Sequence, residues 1–234
     1  MAALVYLIHA DPSMRARYEA ALREAGVDGE LVIVNAGGFS SAYVALAATL
    51  AKRSSSGSVL DGLLMQHPPK RHGWSSLVLG TFSAGYALAR AILSRQADAD
   101  RINGYCAIDS VHTGLVNGKA NPAQLGWLEQ YGARANLGLC SLWVGHADVP
   151  TPQTGPSAFA STTQVAQALR EALGPDHERW RMKAYNESRD PKIEHGLALT
   201  KWGPAWLAGC AAECESHAGE LIPPTDPAPP SQAC

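Results

Sequence analysis

Residues 76–92 read SLVLGTFSAGYALARAI, and this stretch decides the fold of the chain. A short apolar run, Leu77–Leu79, precedes Ser83, and an alanine-rich stretch of helical composition follows directly. This order predicts a buried strand, a sharp turn at the serine and a helix behind it. A turn this tight needs an unusual backbone conformation for a residue other than glycine, so we expect strain at Ser83.

Apolar runs and helical stretches alternate along most of the chain. The predicted strands are 3–9, 30–35, 77–80, 103–108, 137–144 and 180–185. The predicted helices are 13–25, 41–52, 84–94, 121–131, 161–173 and 197–218, the last interrupted near Gly203-Pro204, and 53–73 is predicted to be irregular. The pattern predicts an α/β three-layer sandwich, with a mostly parallel sheet of about six strands and helices on both faces. Right-handed crossovers then bring the carboxyl ends of the strands to one edge.

The composition bounds the class of protein. The chain has 234 residues, of which 46% are hydrophobic and 17% charged, with a net charge of −2. We expect one catalytic domain over 1–221 and a proline-rich, disordered tail over 222–234. The charge balance argues against nucleic acid or an anionic membrane as the main partner. The oligomeric state is not encoded in any pattern.

Targeting and cofactor signals are missing from the sequence. No apolar run reaches the ~18 residues of a membrane span, and the apolar N-terminus reads as a strand rather than a signal peptide. The five cysteines, an odd number, favour a reducing compartment, and we expect a cytoplasmic protein. Neither a nucleotide-binding glycine motif nor a metal-binding histidine or cysteine pattern occurs, so no cofactor and no metal are expected.

A serine on such a turn needs a base, and the base needs an acid to orient it. His195 is the candidate base because it follows the last predicted strand, and His112, after the fourth, is the substitute. Two aspartates compete as the acid. Asp148 follows the fifth strand and is favoured, and Asp109 ends the fourth and is the alternative. The aspartate not used as the acid would be a loop or helix cap.

The order Ser83, aspartate, His195, each after a strand, resembles the α/β-hydrolase fold superfamily of serine esterases and lipases over residues 3–215. In that superfamily the acid often stands in Gly-x-x-Asp, which Gly145 and Asp148 match, and it occasionally lies one strand earlier, as Asp109 does. The superfamily's nucleophile elbow reads Gly-x-Ser-x-Gly, whereas Thr81 replaces the first glycine here. The common fold also begins with an antiparallel hairpin, and we expect a reduced form of about six strands without it here.

The resemblance implies an oxyanion hole formed by the N–H of Ala84 and a second N–H near Ala10, where the usual His-Gly reads His9-Ala10. Because Pro12 has no N–H, the second donor is Ala10 or Asp11. Trp127 and His112 are candidate substrate-binding residues, although most tryptophans in helical segments belong to the core. The expected activity is cleavage of an ester, thioester or amide, in a small or polymeric acyl substrate, through an acyl-enzyme on Ser83. The alternatives are a non-catalytic binding protein on the same scaffold, an acyltransferase with the same triad, and a Ser83 that merely caps its helix.

Overall fold

Six parallel strands form the sheet in the computed structural model, which describes residues 2–147, 160, 162–176, 179–185, 187–188 and 190–217. The strands are β1 (Ala2–Ile8), β2 (Asp28–Val34), β3 (Ser76–Phe82), β4 (Gly104–Ile108), the short β5 (Leu115–Val116) and β6 (Lys119–Ala120), β7 (Ser141–Ala147) and β8 (Trp180–Tyr185). The sheet order is β2-β1-β3-β4-β7-β8, while β5 and β6 pair separately as an antiparallel hairpin. The predicted α/β sheet is confirmed.

Helices cover both faces of this sheet. They are α1 (Arg15–Glu24), α2 (Ser40–Arg53), α3 (Val59–Gln66), α4 (Tyr86–Leu93), α5 (Gln96–Ala99), α6 (Gly126–Asn136), α7 (Thr162–Leu173), α8 (Pro191–Leu197) and α9 (Gly203–His217). Alternate residues of β1 enter two separate apolar clusters, Tyr6 on one side and Val5 on the other, as expected for a strand buried on both faces. Across the described residues, no helix is long and apolar enough to span a membrane.

The connection predicted to be irregular contains a helix, α3. Its N-cap is Ser58, whose hydroxyl accepts a hydrogen bond from the N–H of Asp61 at 2.9 Å. Leu60 and Leu63 are fully buried in the core cluster, and α3 packs mainly against α2, which stabilises these 8 residues despite the serine-rich and proline-rich flanks. The prediction of an irregular segment over the whole of 53–73 was therefore wrong.

The predicted interruption of the last helix is confirmed as a π-helical turn, Ala198–Trp202, between α8 and α9. Pro204 has no N–H to donate, so the regular ladder of the helix cannot continue through this turn. Side chains of α1 satisfy the freed carbonyl groups: the Tyr18 hydroxyl donates to Leu199 O at 3.0 Å, and Arg17 donates to the next carbonyl. These bonds fix α8, which precedes the turn, against α1.

Three buried thiols meet where α9 crosses β4. A Cβ on Gly104 would lie 2.5 Å from Cys214 Sγ and 3.1 Å from Cys210 Sγ, so the glycine makes room for both sulfurs. Burial raises the pKa of Cys210. The hydrogen bond with Cys106 raises this pKa further, and the hydrogen bond with Cys214 partly opposes the rise. The described cysteines are free thiols in the core.

The predicted tail, 222–234, lies outside the described residues.

Candidate active site

Three neighbouring parallel strands end at one edge of the sheet in left-handed residues. Ile8 pairs with Thr81, and Phe82 pairs with Ile108, so the ends of β1, β3 and β4 lie side by side. The next residues have positive φ angles: His9 at 68°, Ser83 at 47° and Asp109 at 45°. Such angles are uncommon for residues other than glycine and concentrate at functional sites. The predicted strain at Ser83 is confirmed.

Ser83 begins a single 3₁₀ turn, Ser83–Gly85, that leads directly into α4. A Cβ on Gly85 would lie 2.6 Å from Ile8 O and 3.1 Å from His9 Cβ, so only glycine allows the turn to press against the end of β1. This contact brings the backbone that follows Ser83 beside the backbone that follows His9. The two predicted oxyanion donors, Ala84 and Ala10, follow these two residues, and both are buried.

The imidazole of His195 is hydrogen-bonded to a buried carboxylate. Its Nδ1 lies 2.6 Å from Asp109 Oδ2, where the N–H donates to the carboxylate. The Asp109 side chain is 4% exposed and the His195 side chain 36% exposed. The backbone N–H of Asp109 donates to Gly145 O at 2.8 Å, which ties the acid to β7. With Nδ1 as the donor, Nε2 of neutral His195 carries the lone pair that a general base needs.

The ring of Phe82 packs against the imidazole of His195. Phe82 and His195 stack with ring centroids 4.6 Å apart and planes inclined by 26°. Phe82 is the residue directly before Ser83, so this stack places the base beside the serine's turn. Phe82 was not among the predicted site residues, and its signal in the sequence is an aromatic residue inside the elbow motif.

His195 lies in helix α8, so the prediction that helical structure begins only at residue 197 was wrong. The preceding residue, Glu194, is fully buried, and its carboxylate accepts the backbone N–H groups of Glu187 at 2.9 Å and Ser188 at 2.6 Å. A buried carboxylate that collects N–H groups in this way fixes the connection between β8 and α8. Glu194 therefore helps to fix the position of the His195 backbone in α8.

A second histidine, His9, lies on the other side of Phe82. Its ring stacks on Phe82 at 5.8 Å, and its Nδ1 lies 2.9 Å from the Tyr43 hydroxyl. Burial lowers the pKa of His9, the backbone carbonyl of Gly37 partly opposes this, and the nearby His195 lowers it further. The neutral form of His9 is thus favoured close to His195, and its ring is held by Tyr43 of α2, a contact that the sequence did not indicate.

His112, the substitute base, is buried near the pair that Asp109 and His195 form. Its ring meets Tyr86 edge to face at 5.5 Å. Burial lowers the pKa of His112 to about 4, partly offset by the Asp109 carboxylate and reinforced by His195. The ring is therefore neutral at pH 7.

The other predicted site residues lie further from this edge or outside the described part. Trp127 is 7% exposed and packs against Tyr105 in the core, in agreement with its structural alternative. Asp148, the favoured acid, lies outside the described residues. Within the described part of the chain, no group of three or more His, Cys, Asp and Glu side chains has the arrangement of a metal site.

Comparisons with known proteins give a distant structural similarity and no similar sequence. No protein-family model matches the chain, and no curated protein matches it significantly. A crystal structure of an IroE-like serine hydrolase from Shewanella oneidensis is similar at a TM-score of 0.48 and 15% sequence identity. The similarity covers 85% of this chain and 67% of that one, and it concerns the course of the chain only.

Proposed function

We propose that this protein is a serine hydrolase of the α/β-hydrolase type that cleaves a carboxylic ester, thioester or amide. The observation that carries the proposal is the 2.6 Å bond between His195 and the buried Asp109, next to a serine in a left-handed turn. A purely structural role for Ser83 as a helix N-cap does not account for this combination. A cap needs neither a positive φ nor an imidazole with a buried carboxylate beside it.

Each step of the chemistry follows from the proposed roles. Ser83 Oγ attacks the acyl carbon, and its proton moves to His195 Nε2 while the carbonyl electrons become an oxyanion. The tetrahedral intermediate collapses, the bond to the leaving group breaks, and His195 returns the proton to that group. Water then attacks the acyl-enzyme through the same base, releasing the acid and free Ser83.

We propose Asp109 as the acid rather than Asp148. One imidazole Nδ1–H donates fully to one carboxylate, and that donor is already engaged by Asp109. Asp109 is also level with Ser83 on the adjacent strand, because Phe82 and Ile108 pair directly before them. A carboxylate in this position holds the tautomer and stabilises the imidazolium that forms during attack.

The oxyanion hole in this proposal consists of the N–H groups of Ala84 and Ala10. The close approach of Gly85 to Ile8 O supports it, since it sets these two backbone segments side by side. Two N–H donors aimed at the developing charge, in a site with little water, are worth several kcal/mol in the transition state.

The decisive experiment is labelling with a fluorophosphonate, which reacts with an activated serine, followed by peptide mapping. We expect one adduct, on Ser83, that is lost in Ser83→Ala. The matched control is Ser75→Ala, an exposed serine at the opposite end of β3, which should label like the natural chain. Absence of any adduct on Ser83 in folded protein would overturn the proposal in favour of a binding protein on this scaffold. Product analysis with added alcohols separates hydrolysis from acyl transfer.

A further inference from the structure

The position where the elbow motif usually has glycine carries a buried hydroxyl group in this chain. Thr81 is fully buried, and its Oγ1 lies 2.6 Å from Ser110 Oγ and 2.9 Å from the Tyr105 hydroxyl. Ser110 and Tyr105 are themselves 1% and 0% exposed. The three buried hydroxyls thus contact one another, and glycine at position 81 would remove one member of the group.

This cluster joins the two turns on which the proposed catalysis depends. Thr81 stands two residues before Ser83 on β3, and Ser110 directly follows Asp109 after β4. Thr81 is paired with Ala107 across the two strands, so the hydroxyl lies below the turn of the acid. The bond from Thr81 to Ser110 therefore connects the strand of the nucleophile to the turn of the acid.

Asp109 needs such support because its own backbone is strained. Its φ of 45° persists only where the surroundings hold both sides of the residue. On one side, its N–H donates to Gly145 O at 2.8 Å, and on the other, Ser110 is held by Thr81 at 2.6 Å. A carboxylate on a turn fixed at both sides keeps one position for His195 Nδ1.

The proton arrangement within the cluster is also constrained. Burial raises the pKa of Tyr105, so its phenol stays protonated and can donate to Thr81 Oγ1. Thr81 then has its own proton for Ser110 Oγ. In this arrangement every hydroxyl of the cluster has a partner within the cluster.

We infer that Thr81, with Tyr105 and Ser110, is a positioning residue that sets the Asp109 carboxylate for His195. This inference rests on the proposed function for its effect on rate, but its structural content is independent of activity. A packing role alone would be met equally by valine, which has the shape of threonine without its hydroxyl. The positioning role requires the hydroxyl, and serine should therefore replace threonine in it.

The test compares Thr81→Val with Thr81→Ser in two measurements. The first is the low-field proton NMR resonance of His195 Nδ1–H, assigned by its loss in Asp109→Asn, which needs no substrate. We expect it to shift or broaden in Thr81→Val and to persist in Thr81→Ser.

The second measurement is the rate constant for fluorophosphonate labelling of Ser83. It should fall by about 10² in Thr81→Val, since small misplacements of catalytic groups have effects of this size. Thr81→Ser should recover most of it.

A double-mutant cycle separates positioning from general destabilisation. If Thr81 acts through Asp109, Thr81→Val should slow labelling little when Asp109 is already asparagine. Equal slowing in both backgrounds, equal behaviour of Thr81→Val and Thr81→Ser, or an unchanged Nδ1–H resonance in Thr81→Val would each overturn the inference. Tyr105→Phe and Ser110→Ala repeat the test if Thr81→Val does not fold. Failure of the natural chain to label would refute the proposed function, while the resonance would still test the positioning role.

Discussion

His195 Nδ1 and Asp109 Oδ2 lie 2.6 Å apart although 86 positions separate the two residues in the chain. The bond joins a helix that follows the edge strand β8 to a turn in the middle of the sheet. It is formed at an edge where the carboxylate is almost fully buried and the imidazole is partly open to solvent. That asymmetry suits a base that must stay oriented on one nitrogen and reach a substrate with the other.

The identity of the acid gives the first prediction. Replacing Asp109 by asparagine keeps the side-chain shape but removes the charge and can favour the wrong imidazole tautomer. We expect Asp109→Asn to lower kcat on an activated ester by about 10⁴, the size of loss seen when the aspartate of a known triad is neutralised. Asp148→Asn should lower kcat by less than about tenfold, because Asp109 and not Asp148 is the proposed partner of the imidazole.

The comparison needs a measure of folding, because Asp109 is buried. Thermal unfolding of both variants shows whether the protein remains native at the assay temperature. If folded Asp148→Asn proves the slower enzyme, the acid is Asp148, and the bond to Asp109 serves another purpose.

The strands and their order were predictable because buried parallel strands read as continuous apolar runs. The strain at Ser83 was predictable too, since a strand that meets a helix within one short turn leaves a residue there few conformations. The choice between Asp109 and Asp148 was not predictable. Both follow strands on the same side of β3, and the sequence does not record which turn the imidazole meets.

Helix α3 and the support of the base were missed for a different reason. The helix is short, and its polar flanks dominate any window of sequence that contains it. Phe82, Glu194 and Tyr43 act through contacts with residues far along the chain, such as the Phe82 ring with His195. Contacts of this kind depend on tertiary packing, which local patterns do not contain.

Gly85 gives the second prediction. A methyl group at this position would lie 2.6 Å from Ile8 O, a backbone atom that cannot rotate away. Either the elbow or the end of β1 must move, so we expect Gly85→Ala to destabilise the protein by about 1–3 kcal/mol, typical of overpacking. Fluorophosphonate labelling of Ser83 should slow as well, because the same movement separates Ala84 from Ala10.

The matched control is Gly126→Ala at the start of α6, where no atom lies within 4 Å of the added methyl group. Alanine there should be neutral or stabilise the protein by up to about 1 kcal/mol, because it lowers the conformational entropy of the unfolded chain. Chemical denaturation of both variants measures the difference. Equal stabilities would show that the elbow is not pressed against β1 as described.

Buried His112 gives the last prediction, on pH. In the unfolded chain a histidine takes up a proton near its ordinary pKa of 6.5, whereas burial keeps folded His112 neutral until about pH 4. Between these values the unfolded state binds more protons, so the free energy of unfolding falls as pH drops from 6.5 to 4, by at most about 3 kcal/mol from this group. Below pH 4 the group contributes no further change.

His112→Gln cannot titrate and should flatten this part of the curve, while His72→Gln, at an exposed histidine, should leave it unchanged. Urea denaturation of the three proteins at half-unit pH intervals measures the slopes, and parallel curves for the natural chain and His112→Gln would show that the imidazole is not buried in neutral form.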